Sequence, residues 1–304
     1  MNVLIAGGTG FVGSALTRRL LQRGHKVSLL SRRPSAPGGT PPVYHWNPER
    51  DEFDPNSLTG ADAVVNLAGE NLAGGRWTPE RKRRLVESRV LATRFLVRRM
   101  GERTPRPRAL VNASAVGIYG NRGEEVLTEE SPPGRGFLAE LCGAWEEAAF
   151  SALDVGVRVA VTRFGVVLDA AGGILEKLLP IFKLGIAGPL GNGKQWMSWI
   201  ALPDVLQVIE TALTREDVSG PVNVVSPAPV RNRDFARTLG RVLRRPAFLP
   251  APAPALRLVF GSMADEALLS GACVAPKKLT SLGYRFAFED LERALRAALS
   301  APRV

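Results

Sequence analysis

The sequence predicts an α/β protein built on a doubly wound parallel sheet, and two observations predict it. Short apolar runs of the buried-strand kind alternate with segments of helical period, and the first run is joined to the first helix by a glycine-rich turn.

The first run is "NVLIA" at 2–6, and "SALTRRLLQRG" at 14–24 has helical spacing closed by Gly24. Between them, "GGTGFVG" sets Gly7, Gly10 and Gly13 three apart, while Gly8, Gly10 and Gly13 satisfy the G-x-G-x-x-G form. Glycine there allows a tight turn, close approach of the backbone to a pyrophosphate, and close packing of helix on strand; the helix N-terminus faces the phosphate charge. Strand, glycine turn and helix in this order predict a dinucleotide site, with Gly7, Thr9, Gly10, Phe11, Val12 and Gly13 as its cradle.

The second strand, "KVSLLS", ends at Ser31 and is followed by Arg32 and Arg33. An NAD site usually has an acidic residue here for the ribose 2′-hydroxyl. Two guanidiniums in its place, able to fork onto a 2′-phosphate, predict NADP(H). Next comes "ADAVVNLAG" at 61–69, a buried strand whose end, Leu67, Ala68 and Gly69, falls where the sheet binds its ligand. Glu70 and Asn71 continue toward the cofactor, and serve equally well as capping and turn residues. A long basic helix then starts at Thr78 and Pro79, with Thr as N-cap and Pro at N1. Leu85, Val86, Val90, Leu91, Phe95 and Leu96 form its apolar stripe. "RALVNASAVGIYG" at 108–120 is the following strand and its exit.

The 304 residues and 45% apolar content supply a full core. Net charge is +11, with 40 basic against 29 acidic residues, and much of the excess lies on the long helix, where it reads as a solvated face or subunit contact. No nucleic-acid module accompanies it, so nucleic acid is not an expected partner. No apolar run reaches the roughly 18 residues of a membrane span, so no membrane partner is expected either. The first strand begins at Met1 or Asn2, leaving no room for a leader, and the expected location is cytoplasmic. Cys142 and Cys273 lie too far apart in sequence for a disulfide framework or zinc motif, and His25 and His45 are the only histidines, so no metal centre is expected.

These motifs, with "NLAGEN" (66–71), "ASAVGIYG" (113–120), "FLAELCGAWEEAA" (137–149), "RFGVVLDAAGG" (163–173) and "GPLGNGKQWMSWI" (188–200), resemble the extended short-chain dehydrogenase/reductase superfamily. More narrowly, the chain resembles its atypical epimerase-family subgroup, and 220–240 and 249–261 resemble that subgroup's C-terminal region. The resemblance implies a Rossmann sheet with an interleaved, smaller C-terminal substrate lobe. The cofactor domain would span 1–170, completed by 203–226; the substrate lobe would take 171–202 and 227–304. It also implies a homodimer through the long basic helix and its neighbour.

Members of the superfamily exchange a proton through a tyrosine four residues before a lysine, assisted by a serine or threonine. Matching "AWEEA" puts Leu138 and Cys142 at the tyrosine and lysine positions, and neither can do that chemistry. The serine position falls on Ala115, with Ser114 one residue earlier, so Ser114 and Tyr119 are the catalytic candidates that remain. The resemblance further assigns Arg89, Ala113, Arg163, Gly165 and Val167 to the cofactor site. Lys194, Gln195, Trp196 and Trp199 suit a planar or anionic ligand, or packing. The proline-spaced "FLPAPAPALRLVFG" reads as a rigid apolar approach to a helix, set to line the cleft or to pack. Two functions follow: an NADP(H)-dependent oxidoreductase or epimerase on an unknown small substrate without the Tyr-x-x-x-Lys pair, or a non-catalytic NADP(H)-binding redox sensor or partner-binding protein.

Overall fold

The computed structural model describes residues 1–33 and 39–300. The chain begins with β1 (Asn2–Ala6), α1 (Phe11–Gln22), β2 (Lys26–Ser31), β3 (Val43–Asn47), β4 (Glu52–Phe53), β5 (Ala63–Asn66), α2 (Pro79–Gly101), β6 (Ala109–Ala115), β7 (Val126–Leu127), α3 (Phe137–Phe150) and β8 (Arg158–Phe164). It continues through β9 (Val166–Asp169), α4 (Gly173–Lys183), β10 (Trp196–Met197), β11 (Trp199–Ala201), α5 (Leu202–Thr214), β12 (Gly220–Val224), β13 (Val230–Arg231), α6 (Asn232–Leu243), α7 (Ala253–Phe260), β14 (Cys273–Val274), α8 (Lys277–Ser281) and α9 (Leu291–Ser300).

Eight strands form one sheet in the order β12-β8-β6-β5-β1-β2-β3-β4, parallel throughout except where β4 turns back on β3. The strand order reverses direction at β1, and the dinucleotide crevice of such a sheet lies at that point, beyond the strand C-termini. β1 is buried on both faces, which is why its sequence is a continuous apolar run. Val3 and Ile5 pack with Leu16 and Leu20 of α1 and with Val205 and Ile209 of α5; Leu4 and Ala6 pack with Leu96 and Met100 of α2 and Ala149 of α3.

The predicted start of α2 is present: the Thr78 side chain accepts from Arg81 N at 3.2 Å, and Pro79 is the first helical residue. Leu85, Val90, Phe95 and Leu96 are buried as the stripe requires, whereas Leu91 is exposed and faces the ligand groove. After β8 the chain leaves the sheet, returns through α5 to add β12 as its edge, and leaves again. A separate core of Leu175, Leu179, Phe182, Trp199, Phe235, Leu239 and Leu295 joins α4, α6 and α9.

Candidate functional site

A groove of about 550 Å³ runs along the sheet's C-terminal edge at the reversal point. Gly7, Thr9 and Gly10 from the first turn, Ser31, Arg32 and Arg33 from the end of β2, and Leu67, Ala68, Gly69 and Glu70 from the end of β5 line it. The glycines are explained by space. Gly7 has φ +79°, and a Cβ there would lie 2.7 Å from the Leu67 carbonyl carbon. A Cβ on Gly13 would overlap Gly7 O, so this residue sets how closely α1 approaches the turn rather than touching the groove. Phe11 packs on Gly172 and Gly173, pinning the first turn of α1 to the second lobe, and Val12 packs into the sheet core.

The Ser31 hydroxyl accepts from Arg33 N at 3.1 Å. Both arginines are exposed, and among the described residues neither guanidinium has an acidic partner. The exit of β5 is held by a polar cluster that the sequence reading did not single out. Asn66 Nδ2 donates to Thr93 Oγ1 at 2.8 Å and Asn112 Oδ1 at 2.7 Å, while Asn66 Oδ1 accepts from Ala68 N at 3.2 Å. Arg89 braces the same loop from behind, donating to Glu70 O at 2.9 Å and Leu85 O at 3.1 Å above the Trp145 ring. Burial holds its guanidinium below the usual arginine value. The Glu70 carboxylate is drawn away to Arg81 at 3.0 Å and Arg84 at 3.5 Å, which fixes one wall of the groove. Ala113 is buried in β6.

Ser114, Tyr119 and Arg163 lie in a buried network instead of on the groove wall. Arg163 Nε and Nη2 donate to the two carboxylate oxygens of Glu146 at 2.9 and 2.7 Å, and Ser114 Oγ donates to Glu146 Oε1 at 2.7 Å. Arg163 Nη1 donates to the Tyr119 oxygen at 2.9 Å, whose own proton goes to Asn223 Oδ1 at 2.7 Å. All five residues are buried, and burial raises the Tyr119 phenol above its ordinary value. Arg163 is therefore directed into the interior beneath α3. Gly165, also assigned to the cofactor by resemblance, sits where a Cβ would overlap Ser198 O, and Val167 pairs with Ile200 against the sheet core.

A second cleft of about 330 Å³ opens between the sheet and the C-terminal lobe. Val116 and Val166, which follow β6 and β8, line it together with Gly117, Arg135, Leu138, Trp196, Asp265 and Glu266. Leu138 thus occupies the expected tyrosine position with a side chain that carries no proton. Cys142 is buried, its thiol pushed up to about 11 by desolvation and by Glu146. Glu266 comes from a π-helical turn (Ala264–Leu268) and accepts from Leu138 N at 3.0 Å, capping α3, which has no side-chain cap of its own. Lys82 Nζ lies 3.9 Å from its other oxygen. Of the remaining candidates, Trp199 is wholly buried and bonded to Ala228 O, Gln195 spans Leu190 O and Leu268 O, and Trp196 is covered by the Arg231 guanidinium 3.8 Å from its ring centre. Lys194 is exposed outside the cleft lining.

The sheet, its reversal point and the glycine cradle define a Rossmann α/β protein with a dinucleotide crevice. The model of the NAD dependent epimerase/dehydratase family matches residues 3–225, and that of a domain of unknown function, DUF1731, matches 251–298. The chain belongs to the NAD dependent epimerase/dehydratase family. It is 43% identical over 300 residues to an epimerase family protein of Mycobacterium tuberculosis, covering 99% of this chain and 98% of that one. The structure of the human epimerase family protein SDR39U1 with NADPH is 34% identical with a TM-score of 0.89, covering 99% of this chain and 100% of that one. A nucleoside-diphosphate sugar epimerase of Corynebacterium glutamicum is 37% identical with a TM-score of 0.80, covering 98% of this chain and 58% of that one.

Proposed function

We propose that this protein binds NADP(H) in the groove between Gly7 and Arg33 and is an oxidoreductase or epimerase acting on a small molecule in the adjoining cleft. The observation that carries the reading is the pairing of two cavities at one sheet edge: a glycine-cradled groove with two arginines at its ribose end, and a cleft beginning at Val116 and Val166 beyond strands β6 and β8. NADP(H), when bound, supplies or takes up hydride. Gly7 and Gly10 would admit its pyrophosphate, Arg32 and Arg33 would hold its 2′-phosphate, and the loop braced by Arg89 would close one side. The likeness to an NADPH-bound relative supports the same cofactor. Cys142 and Cys273, both buried and unpaired, suit a reducing, cytoplasmic setting.

Proton exchange in this reading falls to the cleft. Glu266, bonded to the N-terminus of α3 beside the residue that replaces the tyrosine, would accept the proton of a substrate hydroxyl as the carbon bearing that hydroxyl gives up hydride to oxidised nicotinamide. A non-catalytic, NADP(H)-sensing role is favoured by a different observation: Ser114 and Tyr119 are both consumed by the Glu146–Arg163 network.

The cofactor reading is tested by fluorescence titration of the wild type and Arg32→Ala with NADPH and NADH, followed by a screen for carbonyl substrates that oxidise bound NADPH. Micromolar NADPH binding that weakens about tenfold or more in Arg32→Ala, with NADH unaffected, is expected for loss of a charge-assisted phosphate contact. No NADPH binding, or equal weakening of NADH, refutes it. Turnover of a carbonyl substrate distinguishes the enzyme from the sensor.

A further inference from the structure

The C-terminal lobe carries projecting side chains that line neither the groove nor the cleft. Residues 177–203 and 235–264 together contain three lysines and five arginines and no acidic residue. The two segments lie side by side: Leu249 N donates to Ala187 O, Ala251 N to Pro189 O, and Gly191 N to Ala251 O, while Gly185 faces Pro246. Large apolar side chains project from this face. Leu184 is 73% exposed, Phe248 72% and Leu258 76%, with Ile186 also exposed. In each loop the basic residues come just before the apolar ones: Lys183 precedes Leu184, and Arg244 and Arg245 precede Phe248. Prolines 246 and 250 flank Phe248, so its loop loses little freedom on binding. The next helix, α7, buries only Leu256 and leaves Leu258 and Val259 outside.

We propose that this face docks on an anionic lipid bilayer, with Leu184, Ile186, Phe248 and Leu258 entering the interface and Lys183, Arg244 and Arg245 meeting the headgroups. Neighbouring elements answer some of the charge: Arg241 pairs with Glu292, Arg257 with Asp265, and Arg237 lies 3.8 Å from Asp234. Among the described residues Lys183, Arg244 and Arg245 have no acidic partner. A second copy fits poorly, because a two-fold contact would set this positively charged face against an identical one. Nucleic acid would answer the cations and leave the projecting apolar side chains in water. A bilayer with anionic headgroups answers both, through buried apolar area and attraction to its surface charge. The absence of a spanning segment in the sequence is no guide to such a face, since docking needs only projecting side chains and a basic rim. α7 leads within four residues to the π-helical turn that lines the cleft, so the docked face adjoins the cleft wall.

The test is co-sedimentation of the full chain with phosphatidylcholine vesicles, with and without phosphatidylglycerol, over a salt series. Variants are Leu184→Ser with Phe248→Ser, and Arg244→Gln with Arg245→Gln; all four sites are solvent-facing, and unchanged thermal melting checks the fold. Binding to the anionic vesicles only, weakened by salt and about tenfold or more weaker in each pair of variants, is the expected result. Failure to sediment with anionic vesicles at low salt, equal sedimentation with neutral ones, or variants that bind like wild type each overturns the proposal. So does a wild-type dimer that the apolar pair of substitutions dissociates, which would make the face a contact between copies of this chain. Retention of duplex DNA in place of vesicles would equally overturn it.

Discussion

Truncating Glu146 to alanine tests whether the Ser114–Glu146–Arg163–Tyr119 cluster is structural. The carboxylate takes two charge-assisted hydrogen bonds from Arg163, at 2.7 and 2.9 Å, and one from Ser114 at 2.7 Å, with both ionic side chains almost fully buried. Removing it leaves a buried guanidinium without a counter-charge and a buried hydroxyl without its acceptor. Breaking one side of a buried pair costs about 3–5 kcal/mol, because the stranded charge keeps its full desolvation cost. Against a typical total of about 5–15 kcal/mol this is a large share. Urea unfolding followed by far-UV circular dichroism should show the midpoint falling at unchanged slope. The compensating variant is Glu146→Leu with Arg163→Met, which removes both charges and should regain most of the loss. A single variant within about 1 kcal/mol of wild type would refute the reasoning, since that is what a solvent-exposed pair is worth. So would a double variant no more stable than the single one.

Two other perturbations test the packing. Gly13→Ala forces a Cβ into Gly7 O, and because a Cβ is fixed by its own backbone and the oxygen is itself backbone, the turn must shift; NADPH affinity in the titration above should fall sharply, and wild-type affinity would count against the cradle. The Cys142 thiol is raised from its ordinary value of 9.0 to about 11. The unfolded chain therefore loses this proton first, and the contribution is fully present below about pH 9 and is lost as pH rises through about 11. The unfolding free energy of wild type from urea titration should fall more steeply over that window than that of Cys142→Ala, by about 2–3 kcal/mol in total; parallel pH profiles would count against it.

The parts of the fold that were legible in the sequence are those written in local period. β1, the glycine turn and α1 are contiguous, and each carries its own signal: a run buried on both faces, glycines at fixed spacing, and a 3.6-residue stripe. The same holds for the Thr78 cap of α2, whereas the return of α5 and β12 to the sheet was implied only by resemblance. Leu91 departs from its stripe because the groove leaves that face of α2 without a packing partner. The polar interior was not legible in this way. Glu146 meets Arg163 and Ser114 across 17 and 32 residues of sequence, and Tyr119 meets Asn223 across 104. No short window holds both members of these pairs. Resemblance gave Arg163 a place near the cofactor by its position at a strand end, but position along a strand does not fix the direction of a long side chain. The carboxylate that decides the direction lies on α3. Glu266 was missed for the same reason: it is distant in sequence from Leu138, and only the fold brings the π-helical turn onto the α3 N-terminus.

In the proposed oxidoreductase reading, where the proton goes follows from what the sheet does not offer. In the superfamily arrangement a lysine lowers the pKa of a tyrosine from one helical turn away. Here that lysine position holds a thiol that stays neutral to about pH 11, and the nearby phenol, Tyr119, is buried and raised in pKa by desolvation. Neither position therefore supplies a ready proton carrier near neutrality, and in the proposed reading the acid–base partner comes from the C-terminal segment that lines the cleft. Asp265 there is bonded to Arg257 at 2.9 Å, whereas Glu266, whose nearest cation is Lys82 at 3.9 Å, reaches from its π-helical turn to Leu138 N at the start of α3. Glu266→Gln separates its two roles, because the amide oxygen still accepts from Leu138 N while the side chain can no longer carry a proton. NADPH affinity and melting temperature should stay at wild-type values, and turnover of any carbonyl substrate found in the screen should fall by about 10²–10⁴-fold, the usual range for a lost general acid–base group. Turnover that survives the substitution would move proton exchange to solvent and leave Glu266 as a helix cap alone.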